Sequence, residues 1–466
     1  MNRTTDASTS IKQALALILC ALPLTVVAAD DAPPQGSFGR AIFGDDFGKS
    51  NGLVMGGWLE VGYAVNNHSD PGGKGLANSP VVIARDEGIQ LNQVSLYLEK
   101  NINTNVITRV TPTPAPMPQG YDWGFKVMAL YGRDGQPIQM FGWDSNTAAN
   151  RPGNQDPANA ALFRQEFITY PEFHLNFYMP WWQGMSLMLG NFMSPIGHEI
   201  GFAVEPTPNI FYTRTYAFAA APIDHTGALL ALNLVKSQSM LLSGELGVVR
   251  GWSNFKDNNG KPAYLAAIRW RTPDMKQWVD LEVITGDAQA DPAKIDNSNA
   301  ASQADTANIP VTRVISPNSL NKTETHLTWS GDIGMQWKGV VELTYGKMKG
   351  DGSAQTVDII TGPGFSGATY SGVEGQLQYK IDAKLAAAGR LELFRDRNGF
   401  ALFPNTTVAG DFYEATLGLQ WRPAKNLLIR PELRYDWQGH NNGANAFAGG
   451  TKSNQLLFAT DIVLQY

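Results

Sequence analysis

The stretch KSNQLLFATDIVLQY, residues 452–466, decides the fold. Leu456, Phe458, Thr460, Ile462, Leu464 and Tyr466 share one parity, while Gln455, Leu457, Ala459, Asp461, Val463 and Gln465 share the other. Side chains alternate across an extended strand, so one face is apolar and the other mixed.

The same texture recurs upstream. In LLIRPELRYD, Leu427, Ile429, Pro431, Leu433 and Tyr435 oppose Arg430, Glu432, Arg434 and Asp436. Tyr413, Ala415, Leu417, Leu419 and Trp421 oppose Glu414, Thr416, Gly418, Gln420 and Arg422. Val94, Leu96 and Leu98 oppose Gln93, Ser95, Tyr97 and Glu99. Two architectures accept this pattern. A soluble sandwich turns its apolar faces inward, against a second sheet. A membrane barrel turns them outward into lipid and its polar faces into a wet lumen. Two features favour the barrel. The polar faces carry closely spaced charges of both signs, and aromatic residues gather at strand ends, as in membrane-interface girdles. Those aromatics are Trp181, Trp182, Trp252, Trp270, Trp278, Trp337, Trp421 and Trp437.

Sixteen candidate strands are countable, from near Trp58 to near Asn454. Their connections alternate in length. PWWQG (180–184), VKSQS (235–239), TPDMKQ (272–277), DAKL (382–385) and RPAKN (422–426) are short; roughly 67–88, 133–166, 193–225, 287–322, 348–368 and 438–453 are long. Short periplasmic turns and long outer loops are the habit of outer-membrane barrels. Segment 101–120 is the exception, Pro-rich and long for a periplasmic turn. Composition agrees: charged residues are 17% of the chain, below the quarter usual for soluble proteins. The net charge of -6 offers no basic surface for nucleic acid.

The first residues read as a secretory signal. Arg3 and Lys12 accompany an apolar run over 14–29 that closes on Val27-Ala28-Ala29, so cleavage is expected before Asp30. Pro23 and the shortness of the run argue against a retained anchor helix. Leu19 ahead of Cys20 argues against a lipoprotein signal. Cys20 is the only cysteine, so the cleaved chain is expected to hold no disulfide, thiolate metal site or cysteine nucleophile. No later run approaches the ~18 apolar residues of a spanning helix. The expected organisation is a signal peptide (1–29), a short periplasmic lead-in (30–54) and a transmembrane barrel (55–466).

Catalytic motifs are scarce. HExxH, GxSxG, the Walker loop and Cys/His metal spacings are missing. His198-Glu199 is only a dipeptide, and DNNG (257–260) lacks the further acidic ligands of a calcium loop, so it reads as a turn. A Ser–His pair on the lipid face would mark an outer-membrane phospholipase, but His174, His326 and His440 have such neighbours only loosely. The charged faces are the better signal. Lys126, Arg269, Arg271, Asp280, Glu282, Glu342, Glu374, Arg390, Glu392, Arg430, Glu432, Arg434 and Asp436 share the inward parity. Such ladders line pores and set solute preference, or they brace the wall by salt bridges; both fit a water-filled channel. Segment 193–225 is too apolar and aromatic for a freely solvated loop. It is expected either to fold into the barrel and narrow it, presenting His198, Glu199, Glu205, Tyr212, Arg214 and Tyr216, or to pack on the rim.

Four stretches resemble the OmpL-like β-barrel porin family of Gram-negative outer membranes. They are GWLEVGYAVN (57–66); LNQVSLYLEK (91–100) with DWGFKVMALYG (122–132); 189–232, which contains SPIGHEIG; and GRLELFRDRNGF (389–400) with LLIRPELRYD (427–436). The resemblance implies a porin-like diffusion channel and supplies no catalytic residues. The expectation is therefore an all-β, up-and-down transmembrane barrel of about sixteen strands that passes small hydrophilic solutes. Its partners are outer-membrane lipid and those solutes; it needs no cofactor or metal and exists as a homotrimer or a monomer. A plugged barrel that binds a partner is the alternative, and an outer-membrane enzyme the third.

Overall fold

The computed structural model describes residues 37–466 apart from 69–77, 79–82, 84–86, 110–115, 141, 145–166, 205–207, 258–259, 288–320, 350–366, 403–407 and 449. The expected signal peptide lies outside the described residues. Sixteen strands follow in chain order: β1 (Leu53–Asn66), β2 (Gly88–Lys100), β3 (Asp122–Gly132), β4 (Phe167–Met179), β5 (Met185–Met193), β6 (Asp224–Lys236), β7 (Leu241–Val249), β8 (Ala263–Arg271), β9 (Gln277–Asp287), β10 (Asn321–Ile333), β11 (Trp337–Lys349), β12 (Gly367–Lys380), β13 (Leu385–Asp396), β14 (Gly410–Ala424), β15 (Leu427–Gly439) and β16 (Asn454–Gln465). Each pairs antiparallel with its sequence neighbours, and β1 pairs with β16 to close the ring. Closure leaves no free edge, which a sheet in lipid requires.

The alternation seen in 452–466 is the alternation of the wall. On β16, Leu456, Phe458 and Ile462 are 38%, 41% and 49% exposed on the outer face, whereas Gln455, Leu457, Ala459 and Asp461 are wholly buried inside. At one end of the barrel lie the turns 180–184, 237–240, 272–276, 334–336, 381–384 and 425–426, and the longer connection after β2 starts there; the chain leaves β1, β3, β5, β7, β9, β11, β13 and β15 at the other end, by connections of 13 or more residues. RPAKN is shorter as a turn than the sequence reading made it, because β14 continues through an irregularity between Trp421 and Ala424.

Aromatics ring both ends of the outer wall. Trp123, Trp181, Trp182, Trp337 and Trp421 are exposed near the short turns, and Tyr63, Tyr264, Tyr345 and Tyr435 near the long loops. Two tryptophans expected in the girdles are not there. Trp278 has the inward parity of Asp280, and the Arg271 guanidinium stacks 4.7 Å from its ring. Trp252 packs against the buried cluster of Phe192, Leu229 and Ile284, with Lys322 5.1 Å above its ring. Nearness to a strand end does not reveal which face a side chain takes.

Among the described residues three short helices decorate the barrel: α1 (Ser37–Phe43), α2 (Gly135–Ile138) and α3 (Tyr216–Ala220). α1 sits outside the seam, where Phe38 meets Tyr466 at 5.4 Å between ring centroids. Tyr466 exchanges both backbone hydrogen bonds with Gly57 at 3.0 Å, and its ring lies across that glycine to donate to the Ser95 carbonyl at 2.6 Å. A Cβ on Gly57 would stand 2.7 Å from this ring, so only glycine admits the overlap.

Candidate functional site

Segment 194–223 joins β5 to β6 and enters the lumen. Its neck is closed by the Ser194 N–H donating to the Ile223 carbonyl at 2.9 Å. Apart from α3, a single turn capped by Thr215, it has no regular structure. A buried irregular chain carries N–H and C=O groups that nothing within it satisfies. The wall satisfies them with its charges.

Four wall carboxylates take six loop N–H groups. Glu282 accepts from Gly197 at 2.6 Å and Glu342 from His198 at 2.5 Å. Glu432 accepts from Tyr212 at 2.8 Å and Thr213 at 3.2 Å; Glu392 accepts from Tyr216 at 2.7 Å and Ala217 at 2.8 Å. Wall arginines serve the carbonyls. Arg269 donates to Pro195 at 3.0 Å, Arg390 to Thr213 at 3.0 Å, Arg430 to Asn209 at 2.9 Å and Arg434 to Arg214 at 2.6 Å. Each of these four arginines also pairs with carboxylates. Arg269 meets Glu245 and Glu282; Arg390 meets Glu414 and the loop's own Glu199; Arg430 meets Asp461 and Glu60; Arg434 meets Asp436. All four are buried. Charge-assisted bonds are the strong ones, and removing one partner leaves a costly buried charge.

The loop residues named from the sequence divide accordingly. Glu199 accepts from the Thr215 N–H at 2.7 Å and pairs with Arg390 at 3.0 Å. Arg214 turns back on the loop, donating to Ile200 and Tyr212 carbonyls. Tyr212 reaches across to Asn92 of β2 at 2.9 Å, and Tyr216 donates to Asp436. Burial, reinforced by Asp134, Glu60 and Asp461, lifts the Tyr212 phenol well above its ordinary value. Burial lowers His198 below the ordinary imidazole value, against the pull of Glu342 and Glu199. Glu205 lies outside the described residues. At Gly62 of β1 the Tyr212 hydroxyl would stand 2.0 Å from an added Cβ, so the wall is thinned where the loop touches it.

The remaining wall candidates face inward away from the loop backbone. Lys126 pairs with Glu172 at 2.8 Å, Arg271 pairs with Asp280, and Glu374 accepts from Gln376 at 3.2 Å.

A second inserted segment comes from the opposite end. Residues 101–109, the first half of the long turn of the sequence reading, run up the inner wall of β4–β6. The Asn105 amide donates to the Gln183 carbonyl at 2.8 Å, its side-chain oxygen accepts from Tyr178 at 3.0 Å, and its carbonyl accepts from Asn233 at 2.9 Å. Arg109 then meets the loop from below. It donates to the carbonyls of Ser194 at 2.7 Å, Ile196 at 3.2 Å, His198 at 3.1 Å and Glu199 at 2.8 Å.

Sequence reasoning missed Arg109, Glu60 and Asn92 as site residues. Inward parity marks Glu60. Arg109 had one cue, a lone cation in a connection too long to be a plain turn.

The chemistry available is positional. Ser194 and His225 stand 3.0 Å apart, but the other ring nitrogen meets the Gly251 carbonyl, not a carboxylate, and both residues are buried inside the wall. His326 is held between Glu324 at 2.9 Å and Glu342 at 3.0 Å. The Gly260 N–H donates to Asp257 at 2.7 Å, which is turn geometry. Among the described residues no cluster of three metal-ligating side chains occurs.

A family described as "Putative beta-barrel porin-2, OmpL-like" matches residues 52–466. The chain belongs to this family. It is a barrel of the Gram-negative outer membrane, of the porin class. Solved barrels are similar to it in outline. The outer-membrane channel DcaP of Acinetobacter baumannii has 10% identity over 89% of this chain and 97% of that one, with a TM-score of 0.46. The anion-selective porin from Comamonas acidovorans has 10% identity over 89% of this chain and 99% of that one, with a TM-score of 0.49. OmpF of Salmonella typhi, in complex with daunomycin, has 10% identity over 89% of this chain and 97% of that one, with a TM-score of 0.48. The family match, and not these likenesses, places the chain. No curated protein matches it by sequence.

Proposed function

We propose that the barrel is a narrow, non-enzymatic channel for passive diffusion of small hydrophilic solutes, with segment 194–223 as its constriction. One observation carries this: an irregular chain crosses the lumen, held by inward glutamates and arginines from β8, β9, β11, β13 and β15. A lumen of this polarity favours water and polar solutes, and a crossing chain limits their size. In this scheme the wall charges hold the constriction first. They set ionic preference only where their atoms reach the aqueous path. Residues 1–29 would be the export signal and 30–54 the periplasmic lead-in, with outer-membrane lipid against the apolar face.

Planar-bilayer recording with swelling of solute-loaded liposomes tests this. Stepwise conductance that falls off with solute size is expected; well-folded, heat-modifiable protein giving no steps would sink the proposal. The burial of Arg390, Arg430 and Arg434 favours a second reading, a plugged barrel that binds a partner through its long loops. Silence in both assays would select it.

A further inference from the structure

The two inserted segments meet at a single side chain. Arg109 rises from the short-turn end and donates to four carbonyls within residues 194–199 of the constriction. Along the same stretch, Glu282 and Glu342 accept the Gly197 and His198 N–H groups. This stretch is therefore clamped between an anionic wall and a cation from below. Two cavities abut the clamp and share Arg109, Met193 and Ser194 in their linings. One reaches His326 and Glu342 across the loop. The other, about 50 Å³ and large enough for water, reaches Glu172, Ser186 and Glu245. Arg109 borders both.

We propose that Arg109 is the positioning residue of the constriction: it fixes the 194–199 stretch from the short-turn end and so sets the open cross-section of the channel. This rests on the channel reading above. The physical basis is the geometry of the guanidinium, a planar fork of donors that can serve several carbonyls at once. A lysine ammonium has three donors on one point and cannot span the same set. The rest of the turn is anchored independently through Asn105 to Gln183 and Asn233, so the grip survives only if Arg109 itself is present.

The test uses the full barrel. Arg109→Ala is expected to raise single-channel conductance and to speed amide exchange at residues 196–199 by about tenfold or more, while exchange at Tyr216 and Ala217 stays as in the wild type. Arg109→Lys is expected to fall between the two in both measurements. If Arg109→Ala does not yield a heat-modifiable barrel, Arg109→Gln, which keeps donors on a shorter reach, is expected to show the same changes at smaller size. Wild-type conductance and wild-type exchange in a folded Ala or Gln variant overturn the proposal and leave the channel reading standing. Faster exchange at 196–199 in a barrel that never conducts supports the positioning role and overturns the channel reading instead.

Discussion

Two irregular segments occupy this barrel, and they are held by different chemistry. Segment 194–223 comes from the long-loop end and is bound by full charges on β8, β9, β11, β13 and β15. Segment 101–109 comes from the short-turn end; its root bonds to Glu99 and Asp122, and from Asn105 it lies against neutral partners, Tyr178, Gln183 and Asn233, until Arg109. The first lies across the lumen, where strands on many sides must reach it. The second follows one wall closely enough for amides and a phenol to serve. Wall charge thus marks the strands that hold a crossing chain, more than it marks a pore lining.

The largest test of this contrast removes the crossing chain. Replacing residues 197–217 by a short Gly–Ser linker should raise conductance severalfold and leave a heat-modifiable barrel. Unchanged conductance would mean the segment does not limit the path. Next comes a single clamp. Glu392→Ala strips the acceptor from the Tyr216 and Ala217 N–H groups, leaving two buried donors at roughly 1–3 kcal/mol each. Amide exchange at those two positions should accelerate far more than at Gly197. Equal acceleration at all three would show that the loop moves as one body.

A smaller effect is expected on the neutral side. Asn233→Ala removes one neutral anchor of the 101–109 segment, costing about 1 kcal/mol. The barrel's unfolding temperature should drop by a few degrees with exchange at 212–217 unaffected. A loss at 212–217 would couple the two segments beyond Arg109. The smallest effect belongs to Lys126→Gln. Its pair with Glu172 joins β3 to β4 within the wall. Conductance should hold and only reversal potential shift slightly; a large conductance change would place Lys126 in the narrowest part of the path.

The wall was legible in the sequence because a barrel repeats one rule, parity, along every strand. All sixteen strands were countable, and every inward candidate on them faces inward. Parity gives the face of Glu392 or Arg430 but not what stands opposite. That partner is a chain 175–176 residues away in sequence for Glu392, and no local pattern encodes such a meeting. The crossing itself was half legible, because the apolar residues of 193–225 ruled out a solvated loop yet left rim and lumen open. Arg109 was hidden for the converse reason. A turn that inserts has no periodicity, and its Pro-rich sequence reads as linker.

The seam between β1 and β16 constrains the order of assembly. Tyr466 and Trp58 touch across 408 positions of sequence, so the ring cannot shut until the last strand exists. Until then β1 and β16 each present a row of unpaired backbone groups, the surface most prone to wrong pairing. Every other strand contact joins sequence neighbours and forms early by comparison. Shutting the ring is thus the slow, vulnerable step. The Phe38–Tyr466 contact, with Gly57 beneath it, is placed to act there: a clasp over the one joint that the rest of the barrel cannot make for itself.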